Sequence, residues 1–477
     1  MAKNNFYITT TLPYVNADLH IGHATEMIRA DIWARYKKAR GWDVLLNTGT
    51  DEHGQKILNS AKAQGKDPQV FVDEAFVKFK DQVPKIGLAE EVLKTIRTTE
   101  DSHQKAAQEF WQRCEANGDI YKKNYQVKYC VGCELEKTDS ELINGECPLH
   151  PGKPIEEIEE ENYFFRFSHY QEKLLALYKS YPDFVKPDFR LNEIVKFVEK
   201  GLQDFSISRL KEKMPWGVAV PNDAKHVMYV WFDALVSYIS TLGWPDNQEN
   251  FEKWWPVVQV CGKDNLRQQT AMWQAMLMSA GLASSKQIFV FGFINSAGQK
   301  MSKSIGNVIN PLDIVSEYGT DALRYFVARH LNMYEDSDLT MDKFKEVYNG
   351  NLANGLGNLV SRIMKMVENY EIKFNPENFV LEEQSEFVAL MDNFELNEAS
   401  DLIWQKIQYL DGKIQAEQPF KVAKEDLEKA KKIVAEYLSI LWEIGNLLDS
   451  FLPETAQTIQ NLIKENKAPK EPLFLRK

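Results

Sequence analysis

The chain of 477 residues is 44% hydrophobic and carries a formal net charge of -12 at pH 7. Its length and apolar content exceed what one small domain needs, and the lack of internal repeats argues against a scaffold or solenoid. No apolar run is long enough to span a membrane and the N-terminus lacks a signal-peptide pattern, so we expect a cytoplasmic protein without a membrane partner. The acidic charge counts only weakly against a nucleic-acid partner, because local lysine and arginine placement decides such binding.

The first predicted elements are a strand, a short loop and a helix. Residues 6–10 have the pattern of a buried strand, and apolar side chains at helical spacing predict a helix over residues 19–40 that stops at Gly41. His20 and His23 are three residues apart and therefore share one face of the first helical turn. There the free N–H groups and the helix dipole favour phosphate, so the pattern predicts a nucleotide-binding geometry.

A candidate metal site follows in the window Cys130, Cys133, Cys147 and His150. The spacing C-x2-C-x13-C-x2-H offers three thiolates and one imidazole, a closed tetrahedral set that suits one structural zinc ion. A reducing cytosol disfavours disulfides, and the remaining alternative is a knuckle that folds without metal. Cys114 and Cys261 stand alone and are expected to be ordinary buried thiols.

The remaining patterns divide the chain into segments. The acidic run at residues 156–161 is interpreted as a solvated linker, and a second series of apolar strands and helices begins near Val227. Beyond residue 346 long helical patterns with few breakers predict an all-α region. The predicted segments are a first half of the nucleotide-binding domain at 1–114, a connective insertion with the metal knuckle at 115–226, the second half at 227–294, a loop and stem-contact region at 295–345, and a helical domain at 346–477.

The run Lys300-Met301-Ser302-Lys303-Ser304, combined with His20-Ile21-Gly22-His23 upstream, resembles the two ATP-binding motifs of class I aminoacyl-tRNA synthetases. In that chemistry a carboxylate attacks the α-phosphorus of ATP, and the two anions meet only if the phosphate charge is neutralised and held in line. The resemblance implies ATP with Mg²⁺ as a ligand and catalytic roles for His20, His23, Lys300 and Lys303. It implies the ATP-binding residues His20, Gly22, His23, Gly262, Asp264, Lys300, Ser302 and Lys303.

Further motifs narrow the resemblance to the methionyl-tRNA synthetase family: Leu12-Pro-Tyr-Val-Asn16, Thr48-Gly-Thr-Asp-Glu-His-Gly54, Tyr229-Val-Trp-Phe-Asp-Ala234 and Gly262-Lys-Asp264. The resemblance implies that Asp51 holds the ammonium group of methionine, and that Arg209 approaches the ATP phosphates. It implies a side-chain pocket made by Leu12, Tyr14, Trp231, Ala234, Tyr238, Gln269 and Trp273. Aromatic rings suit a thioether, because each sulfur–aromatic contact contributes ~0.3 to 1.5 kcal/mol.

Four positions depart from the family pattern. Gln268 and Gln269 stand where Phe-His is usual, Leu235 replaces a common proline, and His150 replaces a common cysteine. Gln269 still donates and accepts hydrogen bonds, so methionine remains the predicted substrate, although the departures leave the lining of the pocket open. An imidazole at position 150 keeps the ligand chemistry of the metal site intact.

The helical C-terminal segment is expected to bind the anticodon of tRNA(Met). Asn358 and Arg362 match the family's anticodon-reading segment, and Phe420 replaces an expected tryptophan while keeping a plane on which a base can stack. The fold expected from the resemblance is therefore an α/β Rossmann-like catalytic domain, split by a zinc-binding insertion and followed by an all-α anticodon-binding bundle. A monomer is the default expectation.

Two alternatives stay open at this point. A class I synthetase for leucine, isoleucine or valine would need a large editing insertion, since a hydrophobic pocket rejects a one-methylene change by only ~1 to 3 kcal/mol. This chain is too short for one. A non-catalytic tRNA-binding paralogue would be expected to lose motif histidines or lysines, and the sequence keeps them all.

Overall fold

The computed structural model describes residues 4–137, 139–301, 307–376 and 384–477. Its contacts divide the chain into two compact units, the first made of Met1–Leu19, Trp42–Val83 and Glu90–Phe291, and the second of His20–Gly41, Pro84–Ala89 and Gly292–Lys477. The five segments predicted from the sequence stay a prediction.

The strands of the described residues are β1 (Asn5–Thr9), β2 (Asp43–Thr50), β3 (Leu93–Arg97), β4 (Ile120–Cys130), β5 (Leu135–Lys137), β6 (Ile155–Phe165), β7 (Val185–Lys186), β8 (Phe205–Ser206), β9 (Ser208–Leu210), β10 (Ala219–Val220), β11 (Asp223–Met228), β12 (Val258–Gly262), β13 (Gln287–Phe291), β14 (Ile294–Ser296), β15 (Gln299–Lys300) and β16 (Ser337–Asp338).

The α-helices are α1 (Ile21–Ala39), α2 (Gln55–Ala63), α3 (Pro68–Lys85), α4 (Asp101–Ala116), α5 (Gln171–Ser180), α6 (Asp188–Glu199), α7 (Val230–Ala234), α8 (Ser237–Ser240), α9 (Gln248–Trp254), α10 (Trp273–Ser279), α11 (Pro311–Tyr318), α12 (Thr320–Arg329), α13 (Met341–Val347), α14 (Asn358–Asn369), α15 (Ser385–Asp392), α16 (Leu396–Glu417), α17 (Pro419–Val422), α18 (Leu427–Leu448) and α19 (Pro453–Glu465). Short π-helical turns at Gln268–Met272 and Tyr348–Gly357 precede α10 and α14.

A parallel sheet with the order β3-β2-β1-β12-β13-β7 forms the centre of the first unit. Its strands are rich in β-branched and aliphatic residues, and β1 is buried from its second residue onward, as a strand covered on both faces must be. Phe110 and Trp111 of α4 pack against Phe232, with ring centroids 5.8 and 5.3 Å apart. This strand order is that of a Rossmann-like fold, and it confirms the predicted α/β class.

The acidic run at residues 156–161 is part of a strand, so its interpretation as a linker was wrong, although Glu156, Glu157, Glu159 and Glu161 are exposed to solvent as expected. It lies in β6, which pairs with β4 in antiparallel register from Ile120↔Phe165 to Cys130↔Ile155. Basic side chains beside the strand offset the charge: Lys122 Nζ is 3.6 Å from a Glu161 oxygen, and Lys213 Nζ is 3.3 Å from a Glu160 oxygen. Paired with such neighbours, a glutamate-rich segment can form a stable strand.

The second unit contains α1, a small sheet of order β15-β14-β16 and the helices from α11 onward. Asp31 of α1 and Arg324 of α12 form a fully buried ion pair at 2.7 Å, and the Arg324 Nε donates to the Phe451 carbonyl at 2.8 Å. The long helices α14, α16, α18 and α19 pack together, which confirms the predicted C-terminal helical region. Among the described residues, no helix is long and apolar enough to cross a membrane.

Candidate active site

Three neighbouring strands of the first unit bring residues predicted to bind methionine (Tyr14, Asp51) and ATP (Gly262) to one edge of its sheet. Tyr14 follows β1, Asp51 follows β2 directly, and Gly262 is the last residue of β12. The sheet order reverses between β1 and β12, since β2 and β3 lie on one side of β1 and β12 on the other. Open parallel sheets bind ligands outside the carboxyl ends of the strands at such a switch point.

Asp51 begins the loop between β2 and α2. Its backbone N–H donates to the Pro13 carbonyl at 3.0 Å, and Tyr14 and Asp51 form an isolated parallel bridge. The side chain is 3% exposed, and Oδ1 has no hydrogen-bond partner among the described residues. Burial, together with the nearby Asp233 and Glu134, raises the pKa of Asp51 well above its usual range. A cation placed at this buried carboxyl would favour its charged form.

A chain of buried, uncharged hydrogen bonds fixes the orientation of Tyr238. Gln269 Nε2 donates to the Tyr238 hydroxyl at 2.6 Å, and its Oε1 accepts from Gln259 Nε2 at 2.9 Å. The Ser285 hydroxyl donates to Gln259, and Gln274 accepts from the Ser285 N–H at 3.0 Å. The Ser285 N–H fixes Gln274 Oε1 as its acceptor, so Gln274 Nε2 donates to the Ser285 hydroxyl at 3.1 Å and that hydroxyl donates to Gln259. The same direction continues through Gln259 and Gln269, and the Tyr238 oxygen accepts from Gln269. Gln269 therefore holds the Tyr238 hydroxyl without a titratable group.

The aromatic residues of the predicted pocket divide into two groups. Trp273 is fully buried, stacks on Phe110 at 5.4 Å and meets Tyr238 edge-on at 6.0 Å, so it supports Tyr238 from the core. Tyr14 and Trp231 are partly exposed and pack against one small cluster that includes Tyr229. Leu12 is also partly exposed, and Ala234 is 8% exposed. The partly exposed residues are the ones that a ligand can reach.

Asp233 holds two histidines that sequence reasoning left without a role. Its Oδ2 lies 2.6 Å from His53 Nδ1, and its Oδ1 lies 2.7 Å from His103 Nε2. His103 Nδ1 lies 2.8 Å from the Ser240 hydroxyl. Burial raises the pKa of Asp233, but the two histidines outweigh burial and lower it to about 2. The carboxylate thus fastens the Asp51 loop, which contains His53, to α4 and α7.

In the second unit, His20 and His23 lie at the beginning of α1. His20 is the N-cap residue, and its Nδ1 accepts from the Gly22 N–H at 3.1 Å. The two rings stack with centroids 3.7 Å apart, which confirms that they share one face of the helix. A Cβ on Gly22 would lie 2.8 Å from the His20 ring, so a larger residue there would displace that ring. Burial and the neighbouring His20 lower the pKa of His23 well below its usual range, which makes His23 a neutral imidazole at neutral pH.

The lysine loop is only partly described. Lys300 ends β15, which pairs with β14, whereas Ser302 and Lys303 lie outside the described residues. In the first unit, Gly262 precedes a short 3-10 turn over Lys263–Asn265, and Asp264 in that turn is exposed. The ATP-binding roles of these residues stay predictions.

Arg209 is buried between two tyrosine rings of the first unit. Its guanidinium carbon lies 4.6 Å from the Tyr229 centroid and 5.1 Å from the Tyr129 centroid. Nη1 donates to the Ser206 hydroxyl at 2.8 Å and to the Ser208 carbonyl at 2.9 Å. Aromatic stacking and these bonds hold the cation rigidly. Its predicted approach to ATP phosphates stays a prediction.

The predicted metal ligands Cys130, Cys133, Cys147 and His150 converge, and their ligand atoms all lie within 4.8 Å of one another. The Cys133 and Cys147 sulfurs are 3.4 Å apart, and His150 Nδ1 is 3.9 Å from the Cys130 sulfur. A tetrahedral zinc ion separates its sulfur and nitrogen ligands by roughly 3.6 to 3.8 Å, so the set fits a metal. A Cβ on Gly132 would collide with the His150 ring, and only glycine permits this approach.

The predicted anticodon residues all lie in the helical part of the second unit. Asn358 begins α14 and is exposed, and the Phe420 ring is 52% exposed on α17. Arg362 is partly exposed and its Nη1 pairs with Asp411 at 2.8 Å. Exposed aromatic and amide groups can contact an unstacked base.

The family described as "tRNA synthetases class I (M)" matches residues 6–153 and 141–364 of this chain. The chain belongs to the class I methionyl-tRNA synthetase family. It is 40% identical to the methionine–tRNA ligase of Thermotoga maritima over 98% of this chain and 77% of that protein, and 39% identical to that of Rickettsia typhi over 95% and 92%. A solved structure of Mycobacterium tuberculosis methionyl-tRNA synthetase with methionyl-adenylate is similar at a TM-score of 0.88 and 33% identity, covering 96% of this chain and 93% of that one.

Within this methionyl-tRNA synthetase family member, sequence reasoning missed the residues that hold the site together. Asp233 and His53 both lie inside motifs that the sequence shows, but their pairing spans 180 positions. A signal was present, because Asp233 is the one charged residue of the otherwise apolar motif at residues 229–234, and a buried aspartate needs partners. The identity of the partners was not visible without the fold.

Proposed function

We propose that this chain activates L-methionine with ATP to methionyl-adenylate and transfers the methionyl group to the 3′ end of tRNA(Met). The observation that carries the proposal is Asp51, a buried carboxylate with an unpartnered Oδ1 at the switch point of the sheet, bridged to Tyr14, whose partly exposed ring packs against the same cluster as Trp231. A molecule with an ammonium group and a polarisable side chain fits these neighbours. Family membership and similarity to a synthetase solved with methionyl-adenylate support the same substrate.

In this proposal Asp51 binds the methionine ammonium group, because the ligand supplies the positive charge that the buried carboxylate lacks. Leu12, Tyr14, Trp231 and Ala234 contact the side chain, and Tyr238 is oriented toward it by Gln269. Trp273 packs against the Tyr238 ring on the side of the core and holds it in place. The methionine carboxylate is then free to attack the α-phosphorus of ATP; the bond from that phosphorus to the bridging oxygen breaks, pyrophosphate leaves, and no covalent enzyme intermediate is required.

The residues of the two sequence motifs stabilise the negative charge on the reacting phosphates. His23 is neutral and can donate a hydrogen bond, while His20 accepts from Gly22 through Nδ1 and so carries its proton on Nε2 in the neutral ring. Lys300 and Lys303 supply the positive charge, with Arg209, Gly262, Asp264 and Ser302 as further ATP-binding residues. Mg²⁺ accompanies ATP and contributes charge neutralisation to the phosphates.

We propose that Cys130, Cys133, Cys147 and His150 hold one structural zinc ion. Four protein ligands close the site, so the ion stabilises the turn and takes no part in the reaction.

We further propose that Asn358, Arg362 and Phe420 bind the anticodon. We also propose that the five sequence segments are the functional domains, and that the protein acts as a cytoplasmic monomer.

Methionine-dependent ATP–pyrophosphate exchange tests the proposal, with Asp51→Ala and the matched control Asp246→Ala. Asp246 is an exposed aspartate of the same unit, paired with Lys105 at 2.7 Å. We expect the wild type and the control to exchange alike, and Asp51→Ala to lose about 10²-fold or more in kcat/KM for methionine, since a buried charge pair is removed. Exchange that survives in Asp51→Ala would contradict the assignment of the ammonium site.

A further inference from the structure

Glu134 is a buried acidic residue that neither the metal site nor the proposed mechanism accounts for. It directly follows the metal ligand Cys133, and its side chain is fully buried. Its backbone adopts a φ of +51°, in the left-handed region that residues with a Cβ rarely occupy. Conformations of this kind persist only where the surrounding structure enforces them, and they concentrate at functional sites.

The Glu134 carboxylate reaches from the metal knuckle to the segments that carry the methionine-binding residues. Its Oε2 accepts from the Tyr14 hydroxyl at 2.6 Å, and its Oε1 accepts from the backbone N–H of Lys56 at 2.9 Å. Lys56 is the second residue of α2, so the carboxylate caps that helix from a distant part of the chain. The Lys56 ammonium lies 4.4 Å from the Tyr14 ring centroid, which adds a third link between these groups.

Gly54 makes this approach possible. It is the N-cap residue of α2, has a φ of +95° and offers no side-chain cap of its own. A Cβ there would lie 3.0 Å from both Glu134 carboxylate oxygens. Gly54 therefore leaves the N-terminus of α2 accessible, and the Glu134 carboxylate occupies the space.

These contacts fix both sides of the predicted ammonium site. The loop from Asp51 to Gly54 is held at its start by the backbone pairing of Asp51 with the Tyr14 segment. It is held at its end by the Glu134 cap on α2. Glu134 is also close enough to Asp51 to contribute to its raised pKa.

We propose that Glu134 is a positioning residue for methionine binding, which transmits the folded geometry of the metal knuckle to Tyr14 and the Asp51 loop. The inference rests on the proposed function, because it names a further residue of the same site. The turn that Cys130 and Cys133 close fixes the backbone conformation of Glu134. That conformation directs the Glu134 side chain to the Tyr14 hydroxyl and to the beginning of α2. Glu134 does not touch the reacting atoms.

Three variants test the proposal: Glu134→Ala, Glu134→Gln and the control Glu157→Gln, which removes an exposed glutamate from β6 of the same insertion. In Glu134→Ala two donors lose a buried acceptor, so the methionine KM should rise about tenfold or more. The kcat and the ATP KM should each change less than about threefold, which is the size of effect expected from losing one neutral contact. Glu134→Gln keeps one acceptor oxygen and should give a smaller rise. The control should match the wild type.

A double-mutant cycle with Tyr14→Phe shows whether the two residues act together. If Glu134 acts through Tyr14, the combined variant should bind methionine more tightly than the product of the single effects predicts. Binding is measured by tryptophan fluorescence without ATP, so that the readout is independent of catalysis. Where Glu134→Ala fails to fold, the comparison of Glu134→Gln with Glu157→Gln carries the test.

The contribution of the knuckle is tested by titrating methionine into wild type and Glu134→Gln, each zinc-loaded and zinc-depleted. Zinc depletion should weaken methionine binding in the wild type. It should weaken binding less in Glu134→Gln, because this variant has already lost part of the contact between the knuckle and the methionine site. An equal loss in both proteins would overturn transmission through Glu134, and an unchanged methionine KM in both Glu134 variants would overturn the positioning role. A wild type that does not bind methionine would instead refute the proposed function itself.

Discussion

Replacing Asp233 with asparagine should destabilise the first unit and loosen the methionine site together. Asp233 is fully buried and accepts from two histidines, at 2.6 Å from His53 and 2.7 Å from His103. An asparagine has the same shape but no charge, so it keeps the volume and loses two charge-assisted hydrogen bonds.

The size of the effect follows from the pKa of Asp233, which the histidines lower to about 2 despite burial. Compared with an ordinary aspartate of pKa near 3.9, this corresponds to about 2 to 3 kcal/mol of stabilisation. Because the folded pKa is depressed, the stabilisation is complete above a pH of about 4 and is lost as the pH falls toward about 2. At pH 7 the full amount should be missing from Asp233→Asn.

The assay is denaturant unfolding at pH 7, followed by fluorescence, together with the methionine KM in pyrophosphate exchange. We expect unfolding at a lower denaturant concentration and a methionine KM raised about tenfold, since His53 belongs to the Asp51 loop. Asp246→Asn, which removes an exposed aspartate, is the control and should leave both quantities unchanged. If Asp233→Asn unfolds with the wild type and keeps its KM, the histidine pairing neither stabilises the unit nor positions the loop.

Three further predictions concern the other sites. Elemental analysis should find one zinc ion per chain, and Cys130→Ser should lower both zinc content and thermal stability; metal-free protein of unchanged stability would refute the zinc assignment. Lys303→Ala should slow adenylate formation by ~10²-fold or more in single-turnover kinetics with little change in methionine affinity, and a loss confined to methionine binding would exclude the predicted role. Arg362→Ala and Phe420→Ala should each reduce tRNA charging by about tenfold or more while pyrophosphate exchange stays normal. If both activities fall together in folded protein, the bundle is a structural support only.

The sequence predicted those features that depend on neighbouring residues. The helix behind His20 and the buried strand before it follow from periodicity and capping, and the structure confirms both. The short spacing from Cys130 to His150 predicts a shared site, and the structure brings these four side chains together. The long helices of the C-terminal third were visible for the same reason.

Features that depend on distant partners could not be predicted. Glu134 meets Tyr14 across 120 positions, and Asp233 meets His103 across 130. The glutamate-rich strand β6 was misread because its charge is offset by lysines on other strands and turns, such as Lys122 and Lys213. In each of these cases a charged side chain is stabilised by a partner that is distant in sequence and comes near only in the folded chain.

Selection of methionine by this chain can be measured by ATP–pyrophosphate exchange with each of the twenty amino acids. We expect the highest kcat/KM for methionine, with leucine and cysteine lower, because the site pairs a buried carboxylate with polarisable aromatic neighbours. Faster exchange with leucine, cysteine or any other amino acid than with methionine would contradict it.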